Sequence, residues 1–112
     1  MSIIFSTPLH PGEMLREEFL VPYELSAGQL AKAIRVPRTR VERIVKEQIG
    51  ISTDTALRLG RYFGTTPEFW LNLQRNYEIA IQGKAFAAEI ELIEPISIAN
   101  DNRAGIPAKK RR

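Results

Sequence analysis

Five helix starts punctuate the chain, at Pro11, Ser26, Pro37, Ser52-Thr53 and Thr66-Pro67, and each is followed by apolar residues at helical spacing. Proline fits the first helical position because that residue's N–H has no intrahelical partner, and Ser or Thr before it accepts a bond from a free N–H group. The chain therefore reads as a succession of short helices. Helix 1 is expected over about 11–20, with Met14, Leu15, Phe19 and Leu20 recurring and Pro22 beyond its end. Ser26-Ala27-Gly28-Gln29 fits a capping box, opening helix 2 over about 27–33 with Leu30, Ala31 and Ile34 inward. Helix 3 opens near Pro37 and turns Val41, Ile44 and Val45 to one face. Ser52 or Thr53 caps helix 4, whose apolar face is Ala56, Leu57, Leu59, Tyr62 and Phe63, and Gly64 is placed as its stop. Helix 5, over about 67–82, carries Phe69, Trp70, Leu73, Tyr77, Ala80 and Ile81. Gly83 is expected to interrupt it, with a short helical piece over Ala85 to Glu91 before Pro95 favours extended backbone.

At 112 residues there is room for one compact domain and a short tail. The absence of cysteine excludes a disulfide framework, a thiol nucleophile and any thiolate metal site, and the single histidine, His10, excludes a His-rich one. No catalytic residue, metal or cofactor is expected, since neither His10 nor the acidic residues Glu17, Glu18, Glu89, Glu91 and Glu94 come with a nucleophile and base. His10 reads most simply as a capping or packing residue. No apolar run is long enough for a membrane span and residues 1–5 are too short for a signal-peptide core, so a cytoplasmic location is expected.

The net charge of +3 is small, but it is unevenly placed. Residues 1–25 carry −3, residues 26–47 carry +4, residues 48–108 carry −2 and residues 109–112 carry +4. The last island, Lys109-Lys110-Arg111-Arg112, follows a polar stretch without apolar period, and residues 97–112 read as a disordered basic tail. The first island holds Lys32, Arg35, Arg38, Arg40, Arg43 and Lys46 inside helical sequence, so a fold would fix those charges in space.

Helices 2 and 3, joined at Ile34-Arg35-Val36, have the spacing of a helix-turn-helix with its core over 26–46. Ala31 suits a close crossing, Val36 the turn, and Val41 and Ile44 the anchoring of the second helix. The turn position asks for left-handed backbone and usually holds glycine; here it is Arg35, at a strain of roughly 1 kcal/mol. Outside helix 3 stand Thr39, Arg40, Arg43 and, on the flank, Arg38. In a major groove, Arg40 and Arg43 are the best candidates to read base edges, because Arg donates two bonds to guanine O6 and N7; Thr39 and Arg38 are further candidates. Gln29, Lys46, Ser52 and Thr53 are candidate phosphate contacts that would position the domain without reading sequence. Glu42, at i±4 from both Arg38 and Lys46, offers the local ion pairs of a merely solvated face.

His10-Pro11-Gly12-Glu13-Met14-Leu15, the Leu30-Ala31 to Ile44 segment, Ile51-Ser52-Thr53-Asp54-Thr55-Ala56-Leu57-Arg58-Leu59 and Thr66-Pro67-Glu68-Phe69-Trp70-Leu71-Asn72-Leu73-Gln74 occur in that order. With them the chain resembles the HigA/VapI antitoxins of the XRE family, over about residues 8 to 82. The resemblance implies an all-α fold, a five-helix lambda-repressor-like helix-turn-helix domain over 11–82, after an N-terminal arm over 1–10 and before a C-terminal extension over 83–96. It further implies a homodimer that binds its own operator, a pseudo-palindrome in double-stranded DNA, and neutralises a small RelE-like mRNA-cleaving toxin. Helix 5 is the expected dimer element, through Phe69, Trp70, Leu73 and Tyr77, whose pattern fits either core or interface. Helix 1 and the acidic residues near 89–94 would suit a basic toxin. A stand-alone XRE-type regulator without a toxin, and an interaction module with a vestigial helix-turn-helix, are the competing readings.

Overall fold

The computed structural model describes residues 8–97, which form helices and connecting turns, with no strand among the described residues. α1 (Pro11–Met14) runs directly into a π-helical turn (Leu15–Leu20), in which the Val21 N–H donates to the Arg16 carbonyl five residues back at 3.0 Å. α2 (Ala27–Ile34), α3 (Arg38–Val45), α4 (Thr53–Phe63), α5 (Pro67–Ala85) and α6 (Ala87–Glu91) follow. Four of the five predicted starts carry a side-chain cap; α3 is the exception, beginning at Arg38 after Pro37 with no cap bond. Ser26 and Gln29 close a reciprocal capping box, Ser52 accepts from the Thr55 N–H and Thr66 from the Phe69 N–H. Gly64 ends α4 in left-handed backbone at φ 77°. The expected tail lies outside the described residues, apart from Ser97, as do residues 1–7 of the expected arm.

The core is built where apolar faces converge. Leu15, Leu30, Ile34, Val41, Ile44, Leu59 and Trp70 are buried, with Phe19, Phe63 and Phe69 packed around Trp70. Trp70 is wholly enclosed, and its indole N–H donates to the Thr65 hydroxyl at 2.8 Å, so the polar end of the largest core side chain is satisfied. α2 packs on α3, α4 on α5, and α1 bridges α3 and α5. The bridge is close at Gly12, where any Cβ would overlap the Ile44 carbonyl oxygen.

Three expectations need correction. Leu57 and Tyr62 do not face the core; they are 54% and 46% exposed, because α4 is a boundary helix buried only along Thr55, Ala56, Leu59 and Gly60. Gly83 does not interrupt helix 5, which continues to Ala85: one exposed glycine costs a helix about 1 kcal/mol, too little to stop it. The break falls instead at Phe86, whose backbone leaves the helical region at φ −107°, ψ 15°. Ala80 and Ile81 are exposed, since the distal half of α5 extends past the body it would pack on.

Candidate nucleic-acid interface

The turn between α2 and α3 is made by Arg35 itself. Its φ of 65° and ψ of 48° are left-handed, and the following Val36 N–H reaches back to the Ala31 carbonyl at 3.0 Å, the bond that closes a helix of this kind. The strain anticipated for a non-glycine residue is thus accepted. α3 ends the same way, with Glu47 at φ 61° and the Gln48 N–H on the Arg43 carbonyl at 2.8 Å. Arg16, which sequence reading did not single out, donates to the Val45 carbonyl and to Glu47, tying the π-helical turn after α1 to the C-terminal end of α3.

α3 is therefore held at both ends and buries only Val41 and Ile44. Arg38, Thr39, Arg43 and Lys46 are exposed, and Arg40 is partly exposed. Arg38 donates to Glu42 at 2.7 Å, one of the two local pairs expected, while its side chain passes over Gly28 at the start of α2. Arg40 reaches the start of α4, donating to Asp54 at 2.8 Å. The outer face of α3 and the N-terminal ends of α2 and α4 thus form one continuous surface. Arg43 has no salt-bridge partner among the described residues.

The phosphate candidates fare unequally. Thr53 and Lys46 are exposed with no side-chain hydrogen bond among the described residues. Gln29 spends its carbonyl oxygen on the Ser26 N–H at 2.8 Å, which leaves its amide N–H groups for an anion. Ser52 uses its hydroxyl on Thr55, accepting from the N–H and donating to Oγ1, both at 3.2 Å, so its side chain is engaged in the cap. The start of α4 is fixed from behind by Gln74, whose Oε1 accepts from the Ile51 N–H at 2.7 Å. Gln74 is the last residue of the Phe69-to-Gln74 string, and nothing local in the sequence tells of this bond.

The proposed dimer residues also divide. Trp70 is buried inside its own chain and is withdrawn as an interface residue. Phe69, Leu73 and Tyr77 are half-buried, Phe69 against Trp70 and Tyr77 edge-on to His10 with ring centres 4.7 Å apart. His10 itself is buried and caps α1, its Nδ1 accepting from the Gly12 N–H at 2.8 Å. Burial holds the imidazole below its ordinary value, against the pull of Glu47, as the unprotonated Nδ1 of that bond requires. Among the described residues, no helix is long and apolar enough to cross a membrane and no acidic or His cluster could hold a metal.

Two short helices packed on one another, the second seated on the core through Val41 and Ile44 with a basic outer face turned to solvent, define the class: a lambda-repressor-like helix-turn-helix domain of DNA-binding type. No family model matches the chain. Virulence-associated protein I of Dichelobacter nodosus is 49% identical over 89 residues, covering 80% of this chain and 82% of that protein. Antitoxin HigA-1 of Vibrio cholerae serotype O1 is 30% identical over 97 residues, covering 87% of this chain and 91% of that one. Among solved structures, the Pseudomonas aeruginosa antitoxin HigA, determined with the higBA promoter, matches with a TM-score of 0.78 at 49% identity, covering 80% of this chain and 99% of that chain. The chain belongs to the HigA/VapI family of XRE-type antitoxins, a non-enzymatic family.

Proposed function

We propose that the protein is the antitoxin and autorepressor of a toxin–antitoxin pair: it binds operator DNA as a homodimer and neutralises a RelE-like toxin. The observation that carries the DNA half is the surface formed by α3 and the starts of α2 and α4, basic along α3 and fixed at both ends. The P. aeruginosa relative determined with promoter DNA supports the same assignment. In this reading α3 enters the major groove, Arg43 and Arg40 read base edges, and Thr39 and Arg38 contact neighbouring bases or the backbone. Thr53, Lys46 and the Gln29 amide take phosphates. Ser52 contributes through the helix start it caps.

One domain reads few base pairs, so specificity calls for two, with α3 helices about 34 Å apart on a pseudo-palindrome. The second copy is assigned to the uncovered apolar residues beyond Tyr77, among them Ile79, Phe86 and Ile90, in place of Trp70. The toxin half rests on the family, through HigA-1 above all.

The test is affinity capture of the protein, tagged at Met1 and expressed at native level in its own host, with copurifying proteins weighed by mass spectrometry. A stoichiometric basic partner of toxin size, retained at salt that screens out DNA contacts, is expected. A clean homodimer recovered from cells that express the neighbouring gene would sink the antitoxin half and leave a stand-alone regulator.

A further inference from the structure

Arg40 faces outward on α3 yet is only partly exposed, because it is held. Its Nη1 donates to Oδ2 of Asp54 at 2.8 Å. The other Asp54 oxygen, Oδ1, accepts from Nε of Arg58 at 2.8 Å. Arg58 in turn donates from Nη1 to the carbonyl of Ile34 at 2.9 Å and to that of Arg35 at 3.2 Å. Those two carbonyls belong to the turn of the helix-turn-helix, and the left-handed Arg35 is one of them. An unbroken path therefore runs from the turn backbone through Arg58 and Asp54 to the guanidinium of Arg40.

Such a path is poorly explained by stability. All three side chains are at least a third exposed, and exposed ion pairs add little to folding. It also runs against simple attraction for DNA. Asp54 stands beside Thr53 at the start of α4, and the two guanidinium groups hold its carboxyl below the usual range, so it stays charged at neutral pH on a surface that is otherwise basic. What the path does supply is direction. An arginine reads guanine only when its plane is fixed, and a long free side chain loses rotamer entropy on being fixed. Asp54 occupies one N–H and leaves the rest of the fork for a base.

We propose that Asp54, backed by Arg58, is a specificity-determining positioning residue: it aims Arg40 at one base pair and lowers affinity for DNA of unrelated sequence. The inference rests on the reading above in which α3 reads base edges.

The test uses the full chain. A random library of double-stranded DNA is selected with the wild type, and the enriched duplex is varied one base pair at a time; the position whose preference R40A loses is the one Arg40 reads. In D54A, discrimination at that position should fall about fivefold or more, the lower end of what a bidentate base contact supplies. Affinity for an unrelated duplex should rise in the same variant. Arg58→Met, which leaves the start of α4 untouched, should lower discrimination at the same position. In the R40A background D54A should change no discrimination, while the rise in unrelated binding persists. Unchanged or sharper discrimination in D54A, or a loss spread evenly over all positions, overturns the proposal. If the wild type enriches no sequence at all, the DNA reading itself fails and the inference goes with it. An enriched sequence read equally well by D54A overturns the inference alone. Thermal melts confirm folding of each variant, and Asp54 is exposed and lies outside the buried core.

Discussion

Arg35 shows what a single backbone angle contributes. Left-handed backbone disfavours a residue with a Cβ by roughly 1–2 kcal/mol, and glycine would remove that cost while adding about 0.5–1 kcal/mol of chain entropy in the unfolded state. Arg35→Gly should therefore stabilise the domain modestly, by about 0.5 kcal/mol, read as a higher urea midpoint at an unchanged slope. A lower midpoint would mean that the Arg35 side chain makes a contact worth more than the strain. His10 gives a pH dependence. Its pKa in the folded protein lies below the ordinary value of 6.5, so the unfolded chain takes up the proton first. The contribution is fully present above that value and is lost as pH falls through it toward the lower folded pKa. Stability should decline as pH falls through the ordinary histidine value, and His10→Asn, which keeps a capping acceptor but does not titrate, should flatten that part of the profile. An equal slope in both proteins would place the titration elsewhere. The cap role of His10 was legible because it stands just before Pro11. Its contact with Tyr77 was not, since a ring partner so far along the chain leaves no local signal.

At the scale of elements, helix starts were legible and helix ends and outward faces less so. Starts are written in short-range chemistry, Ser26 with Gln29 or Thr66 with Pro67, and each is realised as the cap its spacing implied. The basic face of α3 was legible for the same reason, as a run of charges on a helix already framed by its turns. The link between α5 and the start of α4 was not. Gln74 lies on a helix surface, half-buried, and only the folded arrangement brings its Oε1 to the Ile51 N–H. That bond carries a prediction. Gln74→Ala leaves the part-buried amide without its acceptor, at a cost of about 1–2 kcal/mol in urea denaturation. Hydrogen exchange at Ile51 should speed up well beyond the change at core amides such as Leu59. Exchange that rises equally everywhere would show that Gln74 supports the whole fold and not this junction. Because the junction presents Thr53 and Asp54, the same variant should weaken DNA binding more than its loss of stability alone explains.

The whole molecule carries more apolar surface than its core takes up. Along the distal half of α5, through α6 and just beyond it, Ile79, Phe86, Ile90, Leu92 and Ile93 are all exposed. Helix 5 reads from its spacing as one broad apolar face, and periodicity alone has no means of dividing it. Burial does divide it: Phe69 to Tyr77 are taken up, wholly or in part, by the domain's own packing, and the residues beyond have nothing within the described chain to cover them. Apolar surface of that kind on one element favours association, and a second copy would also supply the second recognition helix that operator reading requires. Replacing Phe86 and Ile90 together by Asp removes no core contact, so the domain should keep its fold while losing its partner. Light scattering behind size exclusion should find a dimer for the wild type and a monomer for the double variant at the same concentration. The variant should then bind a full pseudo-palindromic site no more tightly than a half-site, because the coupling between two α3 helices has gone. A variant that remains dimeric would move the interface to the other exposed apolar side chains of the body, Leu57, Tyr62 and Tyr23. The separation of the two recognition helices, and with it the half-site spacing, would then have to be set from that face.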